Sequence, residues 1–145
     1  MTLVAFPQAN EAAPYFFTYI NLVPDDGRVL THLSEGVQKV RQLVESIPAS
    51  WLIKPFAENE WTVQEILLHV MDTERIFSYR ALRIARADKT PLPGFEQDAF
   101  APHSRANTRT LASIFDEYQA IRASNIALFS SFDEEALNQI GTSSG

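Results

Sequence analysis

WTVQEILLHVMDTERIFSYRALRIARAD, residues 61–88, decides the fold. Apolar side chains recur at Val63, Ile66, Leu67, Val70, Phe77, Ala81 and Ile84. That spacing of three and four draws one stripe down a helix. Thr62 and Glu65 stand at the Thr-x-x-Glu spacing of a capping box, with Trp61 and Ile66 at the flanking staple positions. The pattern predicts a helix over 61–87, about 40 Å long, the height of a helix bundle.

His69 lies about 100° from the centre of the stripe, beside Ile66, Thr73 and Ile76. Two readings are open. It is a half-buried histidine at a helix–helix seam, or it is a metal ligand. A ligand needs partners, because a catalytic divalent site uses three protein donors plus water. Glu74 falls inside the stripe, about 40° from Val70, where a carboxylate demands a partner.

Before this helix, residues 48–60 form a proline-bounded connector whose Trp51, Leu52 and Phe56 are expected to cover one end of a bundle. A first bundle helix is expected over 25–47. Asp25 or Asp26 would start it, and Leu30, Leu33, Val37, Val40, Val44 and Ile47 form its seam. Gly36 and His32 lie off that seam. Residues 1–24, with three prolines and the aromatics Tyr15, Phe16, Phe17 and Tyr19, read as an N-terminal strap.

After it, Pro91, Pro93, Gly94 and Pro102 break regular structure, so 88–107 reads as a crossover loop carrying an isolated His103. A connection that long lets the helices on either side run parallel. The next helix is expected over 108–131, with Leu111, Ile114, Phe115, Tyr118, Ile121, Leu128 and Phe129 on its face. Arg122 and Asn125 interrupt that face. One reading is a buried Glu74–Arg122 ion pair with Asn125 bonding nearby. The other is a polar pocket wall with Glu74 as an acid/base group near His69. Arginine would hold the glutamate ionised, which favours the ion pair. Asp133 caps a short helical turn in 132–140, and Gly141-Thr142-Ser143-Ser144-Gly145 reads as a flexible end.

The segment from Trp61 to Phe100 resembles the DinB/YfiT-like superfamily, in its DinB-like subgroup. The residues that carry the likeness are Trp61-Thr62-Val63, then His69, Asp72, Glu74 and Arg75, then the run Tyr79 through Phe95. The resemblance implies an all-α four-helix bundle of up-down-down-up topology. It also implies a divalent metal, nickel or zinc, held by three histidines, of which His69 matches the first. The family's other two follow a Gly-Thr-Ser/Ala-Ser-Gly loop like the one at Gly141–Gly145. This chain holds only His32 and His103 besides His69. As it stands, it is therefore expected to hold no tight catalytic metal. The trough left between three helices is expected to be covered by residues beyond Gly145 or by a second copy, as a homodimer. Characterised relatives include thiol S-transferases and a mycothiol-dependent isomerase, so the implied activity is a metal-dependent transferase or hydrolase acting on a small molecule or low-molecular-weight thiol. The alternative is a metal-free helical binding or interaction module.

Composition excludes much else. The 145 residues carry a net charge of −6, against phosphate-tracking nucleic-acid binding. The basic residues Arg75, Arg80, Arg83 and Arg86 spread round the wheel without forming a basic face. Zero cysteines exclude disulfides, thiolate metal sites and cysteine nucleophiles, and suit a cytoplasmic protein. No targeting segment and no stretch long enough to span a membrane are expected. Phosphate loops and dinucleotide fingerprints are absent from the sequence. The whole chain reads as one helical domain over 1–145.

Overall fold

Thr62 opens the central helix by both halves of a capping box. Its hydroxyl accepts from the Glu65 amide at 3.1 Å, and the Glu65 carboxylate accepts from the Thr62 amide at 2.8 Å. In a computed structural model that describes residues 3–144, the order is a 3-10 turn at Pro14–Phe16, α1 (Phe17–Ile20), α2 (Val29–Glu45), α3 (Ala49–Leu52) and α4 (Val63–Ala85). Then follow α5 (Gln97–His103), a 3-10 turn at Ala106–Thr108, α6 (Leu111–Ser130) and α7 (Glu134–Leu137). Among the described residues there is no strand, only an isolated bridge between Leu92 and Ser143. No described helix is long and apolar enough to cross a membrane.

The contacts of α6 fix the direction of the long helices. Toward α4 they rise together along both chains: Thr62 donates to Asn107 at 2.8 Å, Gln64 to the Ala106 carbonyl at 2.6 Å, and Arg75 to Glu117 at 2.6 Å. Those helices are parallel. Toward α2 the order reverses, with Arg41 over the Phe115 ring and Arg122 reaching the Leu33 carbonyl. So α2 is antiparallel to both, giving up-down-down, and α6 packs against each of them. Met71, Ile114 and Phe115 are the most deeply buried side chains.

The start of α2 differs from the 25–47 span. Gly27, at φ +69°, turns the chain, and its carbonyl accepts from the Val4 amide at 3.0 Å. Asp26 accepts from the Arg28 amide and from His32 and so closes a turn ahead of the helix instead of capping it. In the connector only Leu52 is buried, whereas Trp51 and Phe56 stack on each other in the open at 6.1 Å. In the N-terminal segment Phe16 and Phe17 are half-buried, while Tyr15 and Tyr19 are exposed and bond each other.

Two corrections concern the stretch after α4. The span 88–107 is not a plain loop, since α5 forms there despite Pro102 inside it. Pro102 is the sixth of its seven residues, so what the helix forgoes is one bond near its end, from position 102 to the Asp98 carbonyl. The final segment, read as a flexible end, is paired. Leu92 N–H donates to the Thr142 carbonyl and Ser144 N–H to the Leu92 carbonyl, both at 3.0 Å. Gly141 lies so close to Ile84 that a Cβ there would stand 2.5 Å from its Cγ1.

The apolar stripe of α4 is also rotated from its expected place. Leu67, Leu68, Met71 and Ser78 are the buried side, whereas Ile66 (44%), Val70 (38%) and Phe77 (44%) stay exposed. Helical geometry puts the two sets about 130° apart. The inner side wins because Gln64 and Glu74 find partners there, and burying them elsewhere would leave them unpaired.

Candidate functional site

His69 is half-buried, and its ring packs against Trp61 at 4.9 Å with a 51° tilt. The support is a short chain of causes. The capping box fixes the backbone at Thr62, the residue before it is thereby fixed, and its indole limits the imidazole. One turn further along α4, Thr73 Oγ1 is buried and has no hydrogen-bond partner among the described residues. A hydroxyl left so costs about 1–3 kcal/mol, and this one stands at helical i+4 spacing from His69.

Asp72, one turn from His69, is a half-buried carboxylate. Burial pushes its pKa up against the pull of the Arg75 guanidinium, Glu117 adds to the rise, and His69 opposes it. Glu117 shifts the other way: burial would raise it, but hydrogen bonds from Arg75 and Arg109 outweigh that and lower it. Next to Trp61 opens a pocket of about 420 Å³ lined by Phe56, Asn59, Glu60, Trp61, Ile66 and Asp98. His69 does not line it; the Trp61 ring is shared between the two.

The other histidines are elsewhere. His32 Nε2 lies 3.0 Å from Asp26 at the start of α2. His103 Nδ1 donates to the Ala99 carbonyl within α5 at 2.7 Å and remains exposed. Among the described residues no group of three His, Cys, Asp or Glu converges as a metal site. The donors present, one imidazole beside an orphaned hydroxyl, do not by themselves fit a divalent metal.

Glu74 and Arg122 meet inside the bundle. Arg122 Nε donates to Glu74 Oε1 at 2.7 Å and Nη2 to Oε2 at 3.0 Å, a bidentate pair that Asn125 joins at 3.0 Å. Nη2 also bonds the Tyr118 hydroxyl, and Nη1 donates to the Leu33 carbonyl of α2. Burial works against the guanidinium's charge, but Glu74 and Tyr118 more than offset it, and its pKa rises. A carboxylate with both oxygens engaged by these donors is committed to the pair. Gly36 explains itself here: a Cβ on it would sit 3.1 Å from Arg122 Nη1. Sequence reasoning missed that role, although a helical glycine facing an interrupted stripe was the available signal.

The arginines of α4 spread round the helix, as expected, and most are paired. Arg75 pairs with Glu117 and Arg83 with Asp88, while Arg80 is 7% exposed.

The architecture is shared with YfiT from Bacillus subtilis, described as a probable metal-dependent hydrolase with an unusual four-helix bundle topology. The match has a TM-score of 0.72 at 16% identity and covers 94% of this chain and 73% of that one. The protein is thus an all-α chain of the four-helix-bundle type, and the long helices among the described residues are α2, α4 and α6. A protein of Oceanobacillus iheyensis named "putative metal-dependent hydrolase" is 24% identical over 137 residues, covering 94% of this chain and 76% of the relative. The sequence profile of the DinB superfamily matches residues 32–145, and the chain belongs to that superfamily.

Proposed function

We propose that the protein serves as a metal-dependent hydrolase or thiol S-transferase of its superfamily, acting on a small molecule, with His69 as one donor to nickel or zinc. The observation that carries this is the His69 ring, half-buried, braced by Trp61 and one turn from the unpartnered Thr73 hydroxyl. A divalent ion needs about two further protein donors, which the described residues do not bring to His69. The net charge of −6 supports a partner that is neither nucleic acid nor anionic membrane, and zero cysteines support a cytoplasmic setting.

The open side of α4, with Ile66, Val70 and Phe77, supports a homodimer in which a second copy covers it. It also supports the competing reading of a metal-free interaction module.

Nickel titration followed by proton NMR separates the two readings. The His69 ring and Thr73 methyl signals are expected to broaden before those of His32 and His103, and the effect is expected to vanish in His69→Ala. Broadening centred on His32, or unchanged in His69→Ala, sinks the assignment. Dialysis is expected to strip the metal from the 145-residue chain, whereas one retained equivalent per monomer would show a complete donor set within it.

A further inference from the structure

Arg80 is a buried cation without a carboxylate. It is 7% exposed, yet among the described residues its guanidinium forms no ion pair. Its recorded hydrogen bond runs from Nη2 to the Pro93 carbonyl at 2.7 Å, and it lies 5.5 Å from the Phe77 ring centroid and 5.9 Å from that of Phe95. Guanidinium groups stack well on rings, but two rings and one carbonyl do not neutralise a buried charge.

The same guanidinium borders a pocket of about 320 Å³ between α4 and the crossover segment. Its lining is Arg75, Ile76, Tyr79 and Arg80 from the helix and Leu92, Pro93, Gly94 and Phe95 opposite. The volume is within the range of small-ligand sites, and an apolar lining with a few polar groups is their usual composition. Arg75 is already neutralised by Glu117 at 2.6 Å, with Asp72 at 3.7 Å. Tyr79's hydroxyl is taken by Arg83, which is itself paired with Asp88. One positive charge is therefore left over, against walls of aliphatic and aromatic carbon. The match is a monoanion with an apolar body, and a carboxylate suits the planar fork of arginine.

We propose that this pocket binds a small organic carboxylate, its carboxyl group on Arg80 and its apolar body against Ile76, Leu92 and Phe95. Arg80 lies eleven residues, or about 16 Å, along the helix from His69, and Ile76 at the near end of the pocket lies seven residues, or about 10 Å, from it. Arg75, Ile76 and Tyr79 stand roughly 90° or more round α4 from the open apolar side, whereas Arg80 stands about 60° from it and lies against Phe77. The proposal does not depend on a metal.

Benzoate is the probe and benzamide its neutral control, titrated into the full isotope-labelled chain and read by amide shifts. Benzoate is expected to give saturable shifts at Ile76, Tyr79, Gly94 and Phe95, with benzamide about tenfold or more weaker. Arg80→Gln is expected to lose that difference. Because it also removes the Pro93 bond, Ile76→Trp, which fills the pocket and keeps the charge, is the second variant, and is expected to abolish the shifts. Equal binding of benzoate and benzamide, shifts located elsewhere, or no saturable shift in the wild-type chain each overturn the proposal.

Discussion

The two sides of α4 are made of the same residue types and meet opposite fates. The inner side carries Leu67, Leu68 and Met71, is closed by α6, and is pinned by Gln64 and Glu74. The outer side carries Ile66, Val70 and Phe77, as many apolar residues as the inner, and stays open. What separates them is polar anchoring. A hydrophobic stripe is attractive to any apolar neighbour, whereas Glu74 accepts only a partner that brings Arg122 and Asn125 to one place.

The largest test of that view removes the anchor. Arg122→Ala is expected to cost about 3–5 kcal/mol in urea unfolding, because Glu74 remains buried without its partner. A loss under about 1 kcal/mol would mean that water reaches the carboxylate. Gly36→Ala comes next. Helix propensity alone predicts a gain of about 1 kcal/mol. Arg122, tied on several sides, cannot withdraw from the new methyl, so a net loss of about 1–2 kcal/mol is expected. A gain would show the guanidinium to be loosely held. Thr62→Ala, at the start of the inner side, is expected to cost about 1 kcal/mol through the lost cap, without altering benzoate binding. A change too small to resolve in thermal melts would remove Thr62 as the start of α4.

Val70→Gln, on the open side, is expected to leave stability within about 0.5 kcal/mol; a larger loss would mean that this side is covered. Asp72→Asn, at the rim, has the opposite sign. The raised pKa of Asp72 means that the folded state binds its proton more tightly than the unfolded chain does. Stability therefore falls as pH rises from the ordinary carboxylate value through the raised one, and the penalty is complete above both. The substitution is expected to stabilise slightly at neutral pH and to lose that effect in acid. Destabilisation at neutral pH would show the Arg75 contact to outweigh burial.

Much of the bundle was legible in the sequence because caps and stripes are local signals. The Thr62–Glu65 box, the Asp133 cap and the face of α6 depend on residues within one turn or two of each other. The polar interruptions at Glu74 and Arg122 were legible too, since each lacked a local partner. The rotation of α4 was not. Its apolar residues span two sides, and choosing between them depends on α6, more than forty positions away. The candidate site was legible only as His69. The Trp61 brace was hidden because a staple residue and a ring-stacking residue look alike in sequence. Thr73 gave no signal, since its orphaned hydroxyl is a property of packing. Arg80 stood among other arginines, and only the fold of the proline-rich segment over it sets it apart.

The bridge at Leu92 also imposes a timetable during synthesis. Its partners, the carbonyl of Thr142 and the amide of Ser144, lie 50 and 52 positions later in the chain (142 − 92 and 144 − 92). At roughly 5–20 residues per second on the ribosome, Leu92 waits about 3–10 s for them. Through that interval α4 is complete and the proline-rich segment after it is held from the α4 side, by Arg80 at Pro93 and by Arg83 at Asp88. A nascent chain halted before Gly141 thus displays Ile84 and the Leu92 backbone uncovered, a handle for a chaperone that the finished protein withdraws.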